Sequence, residues 1–313
     1  MDIAVTQKPN LLKFVRIFVS LILIVIIVSR IDFQKWLVIT KSASIPGLGL
    51  AFMLVILSLV VSARTWQIVL RSLSIHVPVR KLTTTYFVGL FCNNFLPTSI
   101  GGDVVRIYQV GKHTDRGTEA TASVIVERLF GAFALGLTAV LAVLLSFNRA
   151  RPFLWLILAF FLLCSSLLVV VTRKSLSELL SRKFVPDRFN LKSKAQDVLG
   201  AVHKSTQAKR SLFWVLVLSL VFQLMVVFIN YIIFNSLGLS IPLVYCLIFT
   251  PLISALSMLP ISVNGLGVRE SGYIYFFTKV GLSMTQAVSA SLIFFVLVVA
   301  ASLIGGIIFS FQD

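Results

Sequence analysis

Apolar residues run through this chain in long blocks separated by short polar stretches, reading as 11–29, 46–70, 82–97, 119–147, 152–172, 211–237, 242–260 and 285–309. Six of these blocks are long enough, as helices, to cross roughly 30 Å of hydrocarbon. Two are not. The 82–97 block would reach only roughly 24 Å, and 242–260 is bounded by Pro242 and Pro260 and carries Pro251 inside. Both short blocks run into a break rich in Pro and Gly. In lipid, freed backbone groups find partners only inside protein or beside a cavity, so a broken helix there predicts a site rather than a loop.

The two breaks are copies of one another. Leu96-Pro97-Thr98-Ser99-Ile100-Gly101-Gly102-Asp103-Val104-Val105-Arg106 returns, without a gap, as Leu259-Pro260-Ile261-Ser262-Val263-Asn264-Gly265-Leu266-Gly267-Val268-Arg269, an offset of 163 positions. The same offset carries 46–70 onto 209–233 and 119–147 onto 282–310, and both land on predicted spans. With 152–172 as an odd connecting span, the second half enters the membrane in the opposite sense, the inverted arrangement of many transporters. The expected fold is an all-α polytopic membrane protein with about six spanning helices plus two re-entrant hairpins. Residues 1–313 form one integral membrane domain, with 46–147 as first inverted repeat and 211–310 as second.

Composition agrees: 58% of residues are hydrophobic and 12% charged. The formal net charge of +17 is topological, because Lys and Arg hold loops in the cytoplasm. If the short blocks dip and return, nineteen Lys and Arg fall on one face with both termini, and seven on the other. The termini are therefore expected to be cytoplasmic in a bacterial-type inner membrane, and the basic residues to attract anionic lipid headgroups. No nucleic-acid module stands outside the apolar blocks. The first block is followed by Ser29-Arg30-Ile31, not a small-residue cleavage site, and reads as a retained anchor. The basic cytoplasmic loop 173–210 carries Leu176, Leu179, Leu180 and Phe184 on one helical face, and Ala195, Val198, Leu199 and Val202 on another. Short helices resting on the inner leaflet are expected there. A homo-oligomer, and docking of a lipid-modifying enzyme on this loop, are left open as partners.

A charge inside a membrane helix is costly, so each one is a candidate for chemistry. Glu127 shares a helical stripe with Ala120, Ser123, Gly131, Ala134, Thr138 and Ala142, which turns it toward a neighbour or a cavity. Arg128 stands about 100° round the helix and needs a different partner. The alternative reading of this pair is a buried lock between helices. Asp103 suits the N-cap of a helix starting beside it, and Arg106 can offer a planar fork to phosphate oxygens or snorkel to the cytoplasm. In the second copy the acid has moved across the Arg, as Arg269-Glu270. Asn93 and Asn94 can cap freed carbonyls or touch ligand. Arg64 is expected to snorkel, with Glu127 as a conceivable partner, and Tyr273, Tyr275, Phe276 and Phe277 to form an interfacial aromatic cluster. The substrate-binding candidates are Asn94, Asp103, Arg106, Glu127, Arg128, Arg269 and Glu270. Cys92, Cys164 and Cys246 lie in apolar runs, the three histidines form no cluster, and no Walker loop or catalytic triad is present. No cofactor, metal or catalytic constellation is expected.

These segments resemble the flippase-like membrane family that includes the transmembrane region of lysylphosphatidylglycerol synthases. The matching pieces are Asn93-Asn94-Phe95-Leu96-Pro97, Gly101-Gly102-Asp103-Val104-Val105-Arg106, Glu127-Arg128-Leu129 and Gly265-Leu266-Gly267-Val268-Arg269-Glu270. The resemblance implies translocation of an anionic phospholipid or glycolipid between leaflets, with Asp103, Arg106, Glu127, Arg128, Arg269 and Glu270 as its site. Ser262-Val263-Asn264 departs from the Pro and Gly common in the family. The aminoacyl-transferring domain of the full synthases is absent, so lipid aminoacylation is not implied. Three rivals stay open: an intramembrane headgroup-modifying enzyme with Glu127 or Asp103 as base, an accessory subunit of one, and a carrier for a small soluble anion.

Overall fold

The computed structural model describes residues 33–95, 101–174, 191–259 and 262–311. Its helices are α1 (Phe33–Lys41), α2 (Ile45–Ser72), α3 (Val79–Phe95), α4 (Gly101–Thr114), α5 (Gly117–Leu145), α6 (Phe147–Ala150), α7 (Leu154–Thr172), α8 (Leu191–Thr206), α9 (Lys209–Ser236), α10 (Leu243–Met258), α11 (Val268–Phe277) and α12 (Met284–Ser310), with no strand among the described residues. Five stretches are long and apolar enough to cross a membrane: α2, α5, α6 running into α7, α9 and α12. The expected first span, 11–29, lies outside the described residues, as do the breaks at 96–100 and 260–261 and the loop residues 175–190.

Local chemistry sets the helix ends. Ser44 accepts from the Gly47 N–H with Pro46 in the first turn of α2, and Ser283 with Gln286 forms a capping box at α12. Gly238, at φ 71, ends α9 in the left-handed conformation. Large apolar side chains such as Met53, Trp155, Leu162, Leu163, Phe213 and Ile307 face outward. Such a surface is a liability in water and the ordinary exterior of a protein dissolved in lipid.

The helices α2 and α9 form the most extensive pair, and α3 is pressed against α12 as α10 is against α5. Close approach needs glycine at two contacts between helices. A Cβ on Gly305 would stand 1.9 Å from the Phe87 carbonyl oxygen, and one on Gly102 would stand 2.4 Å from that of Gly89. The second contact folds α4 back along α3. In the second half, α11 packs on α10 after a break in which Asn264, Gly265 and Gly267 all take positive φ.

Two expectations are corrected here. The aromatic cluster is core, not interface: Tyr273, Phe276 and Phe277 are buried and only Tyr275 is exposed. Positions 273, 276 and 277 share one helical face, and that face meets Phe234 and Phe249 at ring distances of 4.5–5.2 Å. Nor does α8 rest its apolar face on a leaflet. Val202 is fully buried with Val69, Ala122 and Val215, and Val198 and Ala201 pack on the same cluster. Small residues at this contact let α8 approach α5 closely, so protein rather than lipid takes up the apolar stripe.

Candidate functional site

Seven helices, α2 to α5 with α9, α10 and α12, surround a partly open cavity of about 330 Å³. Four charged side chains line it: Asp103 and Arg106 from α4, Glu127 and Arg128 from α5. Their positions follow from the fold-back of α4 on α3, which brings the first turn of α4 beside the middle of α5.

Arg106 is 3% exposed. Its guanidinium lies 3.7 Å from the Tyr86 ring centre and 4.3 Å from that of Trp66, held by cation–π attraction on both. Its Nη2 donates to Glu127 Oε2 at 2.5 Å and its Nη1 to Asp103 Oδ1 at 3.1 Å, while its Nε is buried without a partner. The Tyr86 hydroxyl donates to the other oxygen of Glu127. Arg128 then grips Asp103 with both edges of a fork, Nε to Oδ2 and Nη2 to Oδ1, each at 2.8 Å. The chain Tyr86–Glu127–Arg106–Asp103–Arg128 balances two guanidiniums against two carboxylates. Pairing of this kind is what lets charges sit at membrane depth. Three of the four charged members are largely buried, but the Arg128 side chain is 47% exposed, and its Nη1 has no partner among the described residues. It is the charged group that faces open space.

A second, partly open cavity of about 200 Å³ adjoins the first, with Asn230, Thr250, Ser257, Arg269 and Tyr273 in its wall. Arg269 donates to Glu270 Oε1 through Nε at 3.0 Å and Nη2 at 2.6 Å. The same oxygen accepts from the Ser291 hydroxyl at 3.2 Å, and Glu270 Oε2 accepts from the Gly267 N–H at 2.6 Å, capping α11. The Tyr273 hydroxyl donates to Asn230 Oδ1.

The predicted residues thus fall into two groups: Asp103, Arg106, Glu127 and Arg128 in the larger cavity, Arg269 with its partner Glu270 at the smaller. Asn94 joins neither, because its amide donates to Ser302 at 2.7 Å across the α3–α12 contact. Its neighbour Asn93 lines the larger cavity and accepts from the Gly102 N–H at 2.6 Å. Asp103 is no N-cap: α4 begins at Gly101, and the carboxylate serves two arginines instead. Arg64 bonds Gln67, not Glu127. Glu127 and Arg128 do take separate partners, as their positions on α5 require. Sequence reasoning missed Tyr86, Trp66, Gln223 and Ser291. For Tyr86 a signal existed, a phenol inside the short apolar block that runs into the break; Trp66 and Ser291 carry none.

Residues 13–306 match the family described as the lysylphosphatidylglycerol synthase TM region. The chain is similar to a UPF0104 membrane protein of Pyrococcus horikoshii, at 24% identity over 305 residues covering 90% of this chain and 91% of the relative. It is also similar to a UPF0104 membrane protein of Methanothermobacter thermautotrophicus, at 25% identity over 252 residues covering 73% and 74%. No solved structure matches.

Proposed function

The chain belongs to the lysylphosphatidylglycerol synthase TM region family, and from that premise we propose that it moves a lipid with an anionic headgroup between membrane leaflets. The observation that carries this reading is a headgroup-sized, charge-lined cavity, about 330 Å³, inside a bundle whose exterior suits acyl chains. A volume near the lower end of ligand sites takes a phosphate with its alcohol and leaves the tails in lipid.

Arg128 makes first contact through its free Nη1. A headgroup phosphate then replaces Asp103 on the Arg128 fork, and Asp103 remains paired with Arg106 at 3.1 Å. Nothing is stranded by the exchange, because each carboxylate and guanidinium keeps a partner throughout. Arg106, wedged between Tyr86 and Trp66, acts as the fixed post that makes the exchange affordable.

Two inverted repeats, each with a re-entrant hairpin, complete the proposal, set in a cytoplasmic membrane with both termini on the cytoplasmic side. In support, packing pairs of the first half have counterparts at the 163-residue offset: α3 on α12 matches α10 on α5, α3 on α4 matches α10 on α11, and α4 on α5 matches α11 on α12. Ser291 stands 163 positions after Arg128 and, like it, serves the acid of its own half. The mismatch of Ser for Arg makes the two cavities chemically unequal.

The test is reconstitution into liposomes containing a headgroup-anionic phospholipid with a fluorescent acyl chain, with quencher added outside. Wild type equilibrates the label between leaflets; Arg128→Ala does so at a rate close to that of empty vesicles while eluting as a folded protein. Equal rates for the two, or covalent change of the lipid by mass spectrometry, would overturn the reading.

A further inference from the structure

The two cavities share three wall residues, Val226 from α9, Ser254 from α10 and Phe294 from α12. These come from three different helices, so the wall between the cavities is a point where three elements meet. On one side of it lie Arg106 and Arg128, on the other Arg269. Phe294 is the largest of the three, only partly buried, and packed against the core rather than locked within it. Val226 adds a second apolar side, and Ser254 the one hydroxyl.

A charged headgroup brought to this wall would lose its water and gain nothing from a phenyl ring and a valine, so the wall is a barrier while it is closed. It also has a means of opening. Pro251 lies inside α10, less than one turn before Ser254. Without an N–H it removes a rung of the helix ladder, and it is the kind of position where a helix bends. A bend there moves Ser254 relative to Phe294.

We infer that Phe294 is the gate between two headgroup stations on one route, each station reached from a different face of the membrane. This rests on the transport reading for its purpose but not for its test. Closed, Phe294 lets the larger cavity exchange with one face and the smaller with the other. Opened by bending at Pro251, it lets a headgroup pass from the Arg128 fork to Arg269, with Ser254 offering a hydrogen bond at the crossing.

The experiment places a cysteine in the smaller cavity, Thr250→Cys, in a chain with Cys92, Cys164 and Cys246 replaced by Ala. Sealed right-side-out and inside-out vesicles are treated with a membrane-impermeant maleimide. With Phe294 intact, label enters from one face only. With Phe294→Ala it enters from both, and with Phe294→Trp from one face again. Labelling from both faces with Phe294 intact, or from one face in Phe294→Ala, would overturn the gate. A labelled-lipid assay on the same variants keeps the two ideas apart: loss of lipid movement in wild type sinks the transport reading, while the maleimide pattern decides the gate by itself. If both hold, Phe294→Ala speeds lipid equilibration about tenfold, the equivalent of about 1.4 kcal/mol off the barrier.

Discussion

Replacing Glu127 by Gln removes one negative charge from a cluster that is otherwise balanced. Arg106, 3% exposed, would keep only Asp103, already held by both edges of the Arg128 fork. Breaking a buried pair by removing one partner typically costs about 3–5 kcal/mol. Glu127 is 12% exposed, the amide still accepts a hydrogen bond, and both aromatic faces stay on the guanidinium. These reduce the expected loss to about 2–4 kcal/mol. Glu119→Gln is the control, because Arg116 and Glu119 are 34% and 26% exposed and such a pair is worth less than about 1 kcal/mol. Unfolding in detergent, followed by tryptophan fluorescence at low and high salt, separates them: the Glu127→Gln shift is larger and insensitive to salt, the Glu119→Gln shift small and screened. The double variant Arg106→Gln/Glu127→Gln should be milder than the sum of the singles by about 1–3 kcal/mol. Additive singles, or a Glu127→Gln shift no larger than the control, would refute the account of the cluster.

Gly305→Ala forces a methyl onto the Phe87 carbonyl at 1.9 Å, where backbone must move, so folded yield should fall sharply against wild type in size-exclusion chromatography. Asp103→Asn takes a competing anion off the Arg128 fork, so anionic lipid should raise its unfolding midpoint more than that of wild type while transport slows. Tyr273→Phe leaves Asn230 Oδ1, in a residue 2% exposed, without its donor and should cost about 1–3 kcal/mol in the same unfolding assay.

The spans were legible because α2, α5, α7, α9 and α12 are written as continuous apolar runs, and length alone identifies them. The cluster was legible in part. Asp103, Arg106, Glu127 and Arg128 stand out because charge is rare in such runs, but their pairing is not written in spacing along one helix. It depends on how tightly α4 returns along α3, which the Gly89–Gly102 contact decides. Trp66 was invisible for the opposite reason: an aromatic residue in an apolar helix looks like any core position until a guanidinium is found on its face. The apolar stripe of α8 is legible as a stripe but its protein partner is not, because periodicity says which face is buried and not what buries it.

The balance of charge around Asp103 also distinguishes a site from a lock. If the only work of the Asp103–Arg128 pair were to hold α4 against α5, a leucine pair would do it as well or better, since well-packed apolar replacements for buried ion pairs are often neutral or stabilising by about 1–4 kcal/mol. The variant Asp103→Leu/Arg128→Leu keeps the net charge of the cluster unchanged and leaves Arg106 on Glu127 at 2.5 Å. It should therefore unfold within about 1 kcal/mol of wild type, while lipid movement is lost because no exchangeable fork remains. Arg128→Leu alone should unfold earlier than the double variant, with Asp103 left to Arg106. A double variant that folds and still equilibrates labelled lipid at the wild-type rate would reduce the pair to packing and remove the exchange from the mechanism.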